Sequence, residues 1–392
     1  MRIGLAGAGR IGARHAAALS RLPGIQTLVI ADADAARARE LAARLDAAGP
    51  RAADGAPAGP SAPSAPSAGV SAARRERPGG AAPPGAAANA RAASGDHGER
   101  AAGEGGARVL ADSVDGMFAG GLDGLVVAAA TDAHACLVER GVAGEVPVFC
   151  EKPLAPDLSG TFQIMAAARS AGVPVQVGFQ RRFDAGNAAA REALRSGRLG
   201  WVHTVRSCSF DPAPPPPEYV PASGGLFRDC VIHDLDLIRF VTGRDVVRVM
   251  AAGANRGEKF FRECGDVDSG AALLVLDDGT IGLVAATRYN AAGYDARLEL
   301  FGSKDSVAAG LDERTPVTGL PGRRRGEAPY GGFLERFADA YDTELRAFVD
   351  VVAGRRPNPC PPEEALEAFY LAEACELSRR EGRVVEVGEV RR

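Results

Sequence analysis

Asp229, His233 and Asp236 lie four and three residues apart in the run Gly224-Gly-Leu-Phe-Arg-Asp-Cys-Val-Ile-His-Asp-Leu-Asp236. On an α-helix these spacings bring side chains onto one face. An imidazole between two carboxylates suits a general base near neutral pH, because a neighbouring carboxylate raises its pKa and fixes its tautomer. Taken alone, Asp229 and His233 have a second reading as a structural hydrogen bond, with Val231, Ile232, Leu235, Leu237 and Ile238 on the apolar side of the same helix. Lysines are scarce enough that each merits inspection. The chain has three lysines, at 152, 259 and 304, and arginine carries the rest of the positive charge. Lys152 stands in Glu151-Lys152-Pro153, directly after the strand-like Pro147-Val-Phe-Cys150. Ligands of parallel sheets gather at that end of a strand.

The framework that carries these groups begins at residue 2. Arg2-Ile-Gly-Leu-Ala6 reads as a buried strand, Gly7-Ala-Gly9-Arg10-Ile11-Gly12 follows at once, and Ala13–Leu19 reads as a helix. In that context Gly7 makes a tight turn and Gly9 lets the main chain approach a pyrophosphate. Gly12 allows close helix packing, and the helix N-terminus faces the phosphates. A second strand, Thr27–Ala31, ends in Asp32, an acid placed to accept both ribose hydroxyls and to repel a 2′-phosphate; this favours NAD over NADP. Further strands are predicted around Val109–Leu110, Leu125–Ala129, Pro147–Cys150 and Val173–Gly178, and Thr131-Asp-Ala-His134 follows the second of them. Strands alternating with helices predict a doubly wound parallel sheet, a Rossmann domain over residues 1–155.

From about residue 185 the pattern changes. Strands at Val202–Phe210, Val246–Ala252, Ala271–Leu276, Ile281–Thr287 and Ala296–Phe301, with the turn signal Asp277-Asp-Gly279, predict an α+β domain over 156–392 with a mostly antiparallel open sheet. Phe333, Phe337, Tyr341, Leu345, Phe348 and Val352 recur at helical spacing, and Pro361-Pro362 opens a last helix that Gly382 ends. Between Ala47 and Ala107, Ala, Gly, Pro, Ser and Arg dominate, and Val70 is the lone large aliphatic residue. That composition predicts a disordered low-complexity insertion, since it cannot bury enough apolar surface to offset backbone entropy.

Composition narrows the function classes. A net charge of −4 and a pI near 5.9 leave no basic field for nucleic acid. No apolar run approaches the ~20 residues of a membrane helix, and the early strand argues against a preceding secretory signal. Seven cysteines lack CxxC spacing, which argues against zinc or a disulfide framework and fits a reducing cytoplasm.

Gly7-Ala-Gly-Arg-Ile-Gly12, Glu151-Lys152-Pro153, Gly178-Phe-Gln-Arg-Arg-Phe-Asp184 and Asp229-x₃-His233-Asp-x-Asp236 occur in this order. In that order they resemble the Gfo/Idh/MocA oxidoreductases, over essentially everything outside 47–107. Asp211-Pro-Ala-Pro-Pro-Pro-Pro217, Phe227–His233 and Gly293-Tyr-Asp-Ala-Arg-Leu-Glu299 look most like the inositol 2-dehydrogenases among them, with a departure at Ser209-Phe-Asp211. The resemblance implies an NAD-dependent dehydrogenase oxidising a secondary hydroxyl of a cyclic polyol. Lys152 would hydrogen-bond that hydroxyl, His233 would take its proton and Asp229 would orient His233. The loop Gly7, Gly9, Arg10, Ile11, Gly12 with Asp32 would hold the dinucleotide, with Thr131, His134, Glu151 and Lys152 near the nicotinamide. Arg181, Asp211, Asp236 and Tyr294 would bind other hydroxyls. It also implies a homo-oligomer, a tetramer, for which strands 271–276 and 281–287 are apolar enough. Two other readings stay open: a reductase of another sugar or cyclic ketone, and a non-catalytic NAD(H)-sensing protein.

Overall fold

The computed structural model describes residues 1–48, 106–319 and 326–391; the expected insertion 47–107 lies, apart from its ends, outside the described residues. β1 (Arg2–Ala6), β2 (Thr27–Ala31), β3 (Arg108–Ala111), β4 (Gly124–Val127), β5 (Val148–Glu151) and β6 (Val175–Gly178) form a parallel sheet in the order β3-β2-β1-β4-β5-β6. β1, β2, β4 and β6 are buried almost throughout, because helices on both faces of a parallel sheet cover both sides of each strand. The order reverses between β1 and β4, which opens a crevice at the strands' C-terminal ends.

This sheet does not stop at residue 155. β6 completes it, and the helix Ala338–Val352 returns from the far end of the chain to cover one face. Leu345, Phe348 and Val349 pack among Ile3, Leu5, Leu28 and Val126, and the rings of Phe149 and Phe348 lie 5.9 Å apart. Each fully buried aliphatic or aromatic side chain contributes about 1.5–3 kcal/mol, enough to bind the helix to a sheet made by the other half of the chain.

The second sheet comprises β7 (Val202–Phe210), β8 (Val246–Ala254), β9 (Ser269–Leu276), β10 (Ile281–Thr287), β11 (Asp295–Gly302), β12 (Ser306–Ala309) and β13 (Val385–Glu386), in the order β12-β11-β7-β10-β9-β8-β13. Every neighbouring pair is antiparallel except β7–β10. The predicted turn joins β9 to β10, with Gly279 at φ +87°. The inner face packs on the helices Ile232–Thr242 and Pro362–Glu381 through Leu235, Ile238, Leu371 and Cys375. On the outer face Met250, Leu273 and Leu283 stand opposite one another and exposed in a cross-strand row. Among the described residues no helix is long and apolar enough to cross a membrane.

Candidate active site

The dinucleotide end follows the expected local logic. Gly7 has φ +109°, and a Cβ there would meet the Ala128 carbonyl oxygen at 2.4 Å. A Cβ on Gly12 would meet the Gly7 carbonyl oxygen at 2.0 Å, so neither position accepts a side chain. A Cβ on Gly9 would meet nothing within 4 Å. Gly9 is the N-cap of the helix Arg10–Leu19 and no side chain caps it, so its first-turn N–H groups are left to an anion in that open space. Asp32 lies past the end of β2. Its Oδ2 accepts from Ala8 N at 2.6 Å and its Oδ1 from Asp34 N at 2.8 Å, which holds the carboxylate beside the glycine loop. Open space, uncapped helix N-terminus and fixed acid together fit a dinucleotide. Arg10 lies over the Phe333 ring, 5.1 Å from its centroid, and Ile11 is half-buried against the β1–β2 core.

Thr131 opens a single 3₁₀ turn after β4, and His134 starts the next helix. His134 is buried. Its Nδ1 lies 2.8 Å from the Pro153 oxygen and its Nε2 3.1 Å from the Ala129 oxygen. Both ring nitrogens face main-chain oxygens, so His134 ties the β4 and β5 loops together. Glu151 ends β5 and pairs through Oε1 with His15 Nε2 at 2.7 Å. His15 had no expected role beyond packing. It couples the dinucleotide-binding helix to the strand end that carries Lys152.

Lys152 reaches across to the second half of the chain. Its Nζ donates to the Asp229 main-chain oxygen at 2.9 Å and to Asp229 Oδ1 at 3.1 Å. Tyr219 Oη donates to the same Oδ1 at 3.0 Å, and Arg288 Nη2 to Oδ2 at 2.7 Å. Burial opposes ionisation of Asp229, but Lys152 and Arg288 outweigh it and hold the carboxyl well below its usual range.

Asp229 therefore does not orient His233 by a hydrogen bond. The expected shared face assumed α-helical spacing through both residues, whereas Phe227–Val231 is a π-turn and the α-helix starts at Ile232. The wider turn shifts the register, and the carboxylate turns to Lys152 and Arg288. His233 Nδ1 is buried without a partner, and the ring stands edge-on to Phe179 at 5.8 Å. Burial first, then the charges of Lys152 and Arg181, push its pKa well below the ordinary histidine value; Asp229 opposes them and loses. The expected rise is thus reversed, and His233 is a neutral imidazole at neutral pH.

Of the four residues expected to bind hydroxyls, Asp211 joins this cluster of Lys152, Asp229 and Arg288, 3.1 Å from Arg288 Nη1 and partly exposed. Asp236 does not. It has no exposure and accepts from Arg182 Nε at 2.9 Å and Nη2 at 2.5 Å; Arg182 also binds Glu364. Three residues past His233 on the α-helix, Asp236 belongs to an interior ion pair. Arg181 is buried as well: Nη1 donates to Asp234 Oδ1 at 3.1 Å, and Nη2 to Ser209 Oγ at 2.8 Å and Tyr294 Oη at 3.5 Å. Burial pushes the Tyr294 phenol up.

Comparison with known proteins places the chain in a family. Residues 84–179 match an oxidoreductase family with an NAD-binding Rossmann fold, and 187–308 match the GFO/IDH/MocA C-terminal domain. A myo-inositol dehydrogenase of Streptomyces leeuwenhoekii is 39% identical over 290 residues, 73% of this chain and 87% of that one. The chain belongs to the GFO/IDH/MocA oxidoreductases. A myo-inositol 2-dehydrogenase of Thermotoga maritima is 35% identical over 69% of this chain and 81% of its own. The crystal structure of a myo-inositol dehydrogenase from Corynebacterium glutamicum superposes with a TM-score of 0.76 at 30% identity, over 98% of each chain.

As a member of this family the chain is an NAD-dependent oxidoreductase. The matched segments meet between 179 and 187, past β6, where the parallel sheet ends. Two polar groups of the site escaped the sequence reading. Asp234, the residue after His233, accepts from Ser207 Oγ at 2.5 Å and Ser209 Oγ at 2.6 Å. The i, i+2 serines on β7 signal a polar patch on one strand face, but only the packed helix shows what they meet. Arg288 has no local signal; its partners lie 59 and 77 residues away in sequence.

Proposed function

We propose that this oxidoreductase is an inositol 2-dehydrogenase, converting myo-inositol to 2-keto-inositol with NAD. The observation that carries the reading is Lys152, from the dinucleotide half, bonded to Asp229 beside a neutral His233 from the other half. It is joined by the relatives' names and by Asp211, paired with the same Arg288 that holds Asp229. An ammonium has three donors. Asp229 takes two from Lys152 and leaves one to aim at the reacting hydroxyl oxygen. His233, neutral and with Nδ1 buried without a partner, would take the hydroxyl proton on Nε2. As the carbon–oxygen bond gains double-bond character, Lys152 stabilises the charge developing on oxygen. When bound along Gly7–Gly12 and Asp32, NAD supplies the hydride acceptor. Thr131 and Glu151 would flank its nicotinamide end, Glu151 held there by His15. Arg181, which bonds to both Asp234 and Tyr294, would hold the Tyr294 phenol toward the substrate.

The decisive experiment follows NADH formation by the purified protein with NAD and a panel of myo-, scyllo- and chiro-inositol, glucose and an acyclic hydroxy acid. The highest kcat/KM is expected with myo-inositol; preference for the hydroxy acid, or no turnover of any polyol, overturns the reading. The proposal includes a cytoplasmic setting, which seven free cysteines fit, and a homotetramer, which the row Met250, Leu273, Leu283 supports. Light scattering should give a tetramer that Leu273→Asp dissociates; a monomer at micromolar concentration contradicts it.

A further inference from the structure

Arg288 follows β10, and Asp211 follows β7. These are the parallel neighbours of the second sheet, with Thr287 opposite Phe210. Asp211 N donates to the Thr287 oxygen at 2.9 Å and Asn290 N to the Asp211 oxygen at 2.7 Å, so the two strand ends leave the sheet stapled side by side. From there Arg288, only 4% exposed, turns its guanidinium to the π-turn. Nη2 donates to Asp229 Oδ2 at 2.7 Å, and Nη1 to Asp211 Oδ2 at 3.1 Å while lying against Cys230 Sγ.

We propose that Arg288 is a positioning residue for the reaction: its fork fixes the rotation of the Asp229 carboxylate so that Oδ1 is presented to Lys152, and locks Asp211 beside it. Both oxygens of Asp229 are thereby clamped, Oδ2 by Arg288 and Oδ1 by Lys152 and Tyr219. A guanidinium spans two carboxylates at once with planar geometry, whereas a lysine at 288 is a point donor that serves one. The charges also balance, with Lys152 and Arg288 against Asp229 and Asp211. Without Arg288 two carboxylates share one ammonium, Asp229 is free to rotate, and Lys152 loses its aim.

The kinetic arm of the test rests on the dehydrogenase reading; the spectroscopic arm does not. The charges facing His233 are Lys152 from the turn after β5, Arg181 from the turn after β6, and Asp229 from its own turn. Removing Arg288 leaves Asp229 less compensated, so the NMR titration midpoint of His233, one of five histidines, should rise in Arg288→Met and rise less in Arg288→Lys. With inositol and NAD, Arg288→Met should lose roughly 10–100-fold in kcat, the scale of a misplaced catalytic group. Arg288→Lys should recover part of that loss, and added guanidinium should partly rescue Arg288→Met, with NADH affinity unchanged. If Arg288→Met fails to fold, Arg288→Lys and Asp211→Asn carry the test: the lysine variant should lose kcat more than KM, and the asparagine variant should raise KM. An unmoved His233 midpoint in the folded variants, or activity that falls only with the folded fraction, overturns the proposal. Absence of polyol oxidation in the native protein would refute the functional reading and leave the His233 titration to decide the role of Arg288.

Discussion

Replacing Lys152 by Met tests the electrostatics of the site most directly. The ammonium donates twice to Asp229 and is the largest charge acting on His233 after burial itself. For oxidation, His233 must be unprotonated, so kcat/KM rises with pH through its pKa and levels off above it. In the native protein, burial, Lys152 and Arg181 depress that pKa, and the acid limb falls below the ordinary histidine value of 6.5. In Lys152→Met one depressing charge is gone and Asp229 acts with less opposition, so the limb moves to higher pH. In Asp229→Asn the one raising influence is lost, and the limb moves lower still. Both Lys152→Met and His233→Ala should reduce kcat by about 10²–10⁴-fold, as general acid–base groups do, or about 2.7–5.5 kcal/mol of barrier. NADH affinity should hardly change, because the glycine loop and Asp32 make no hydrogen bond or ion pair with either side chain. The assay is the pH profile of kcat/KM for the native protein and the Lys152→Met and Asp229→Asn variants, with fluorescence titration of NADH. A limb that stays in place in Lys152→Met, together with near-native turnover in His233→Ala, would refute the assignment of the base.

Three further outcomes are expected. Asp32→Ser removes a charged acceptor worth about 1.5–3 kcal/mol, so the preference for NAD over NADP in kcat/KM should fall by roughly 10–100-fold. Asp236→Asn breaks a fully buried pair with Arg182 and should destabilise the protein by about 3–5 kcal/mol in urea unfolding, with KM for the polyol unchanged in the folded protein; a raised KM without lost stability would restore Asp236 to the substrate site. Glu344 is buried with neither carboxyl oxygen partnered, and burial followed by Glu151 raises its pKa well above 4.5. A raised carboxyl pKa removes stability as pH climbs above the unfolded value, so Glu344→Gln should be more stable than the native protein at pH 8, with the gain vanishing below about pH 4.5; a pH-independent difference would contradict this.

Features that depend on neighbours along the chain could be read from the residues alone. Gly7, Gly9 and Gly12 specify a turn, an open approach and a close packing within one loop, so the dinucleotide end was legible residue by residue. Asp32 was legible too, because a strand of known length delivers it to that loop. The alternation of short apolar strands with helices specified the first sheet, and Asp277-Asp-Gly279 specified the β9–β10 turn. Packing between distant segments set what faces Lys152. His233 and Asp229 were recognisable as reactive types, but their relation was not, since a single π-turn alters the register and Arg288, 59 residues away, captures the carboxylate. The direction of the His233 shift likewise depended on burial and on two cations from other elements. Asp236 looked equivalent to Asp229 in spacing, yet Arg182 draws it into the interior. Nor did position in the chain reveal that the helix Ala338–Val352 closes the first sheet. Local propensity and spacing act over a few residues, whereas charge, desolvation and close packing act over ångströms between segments that folding alone brings together.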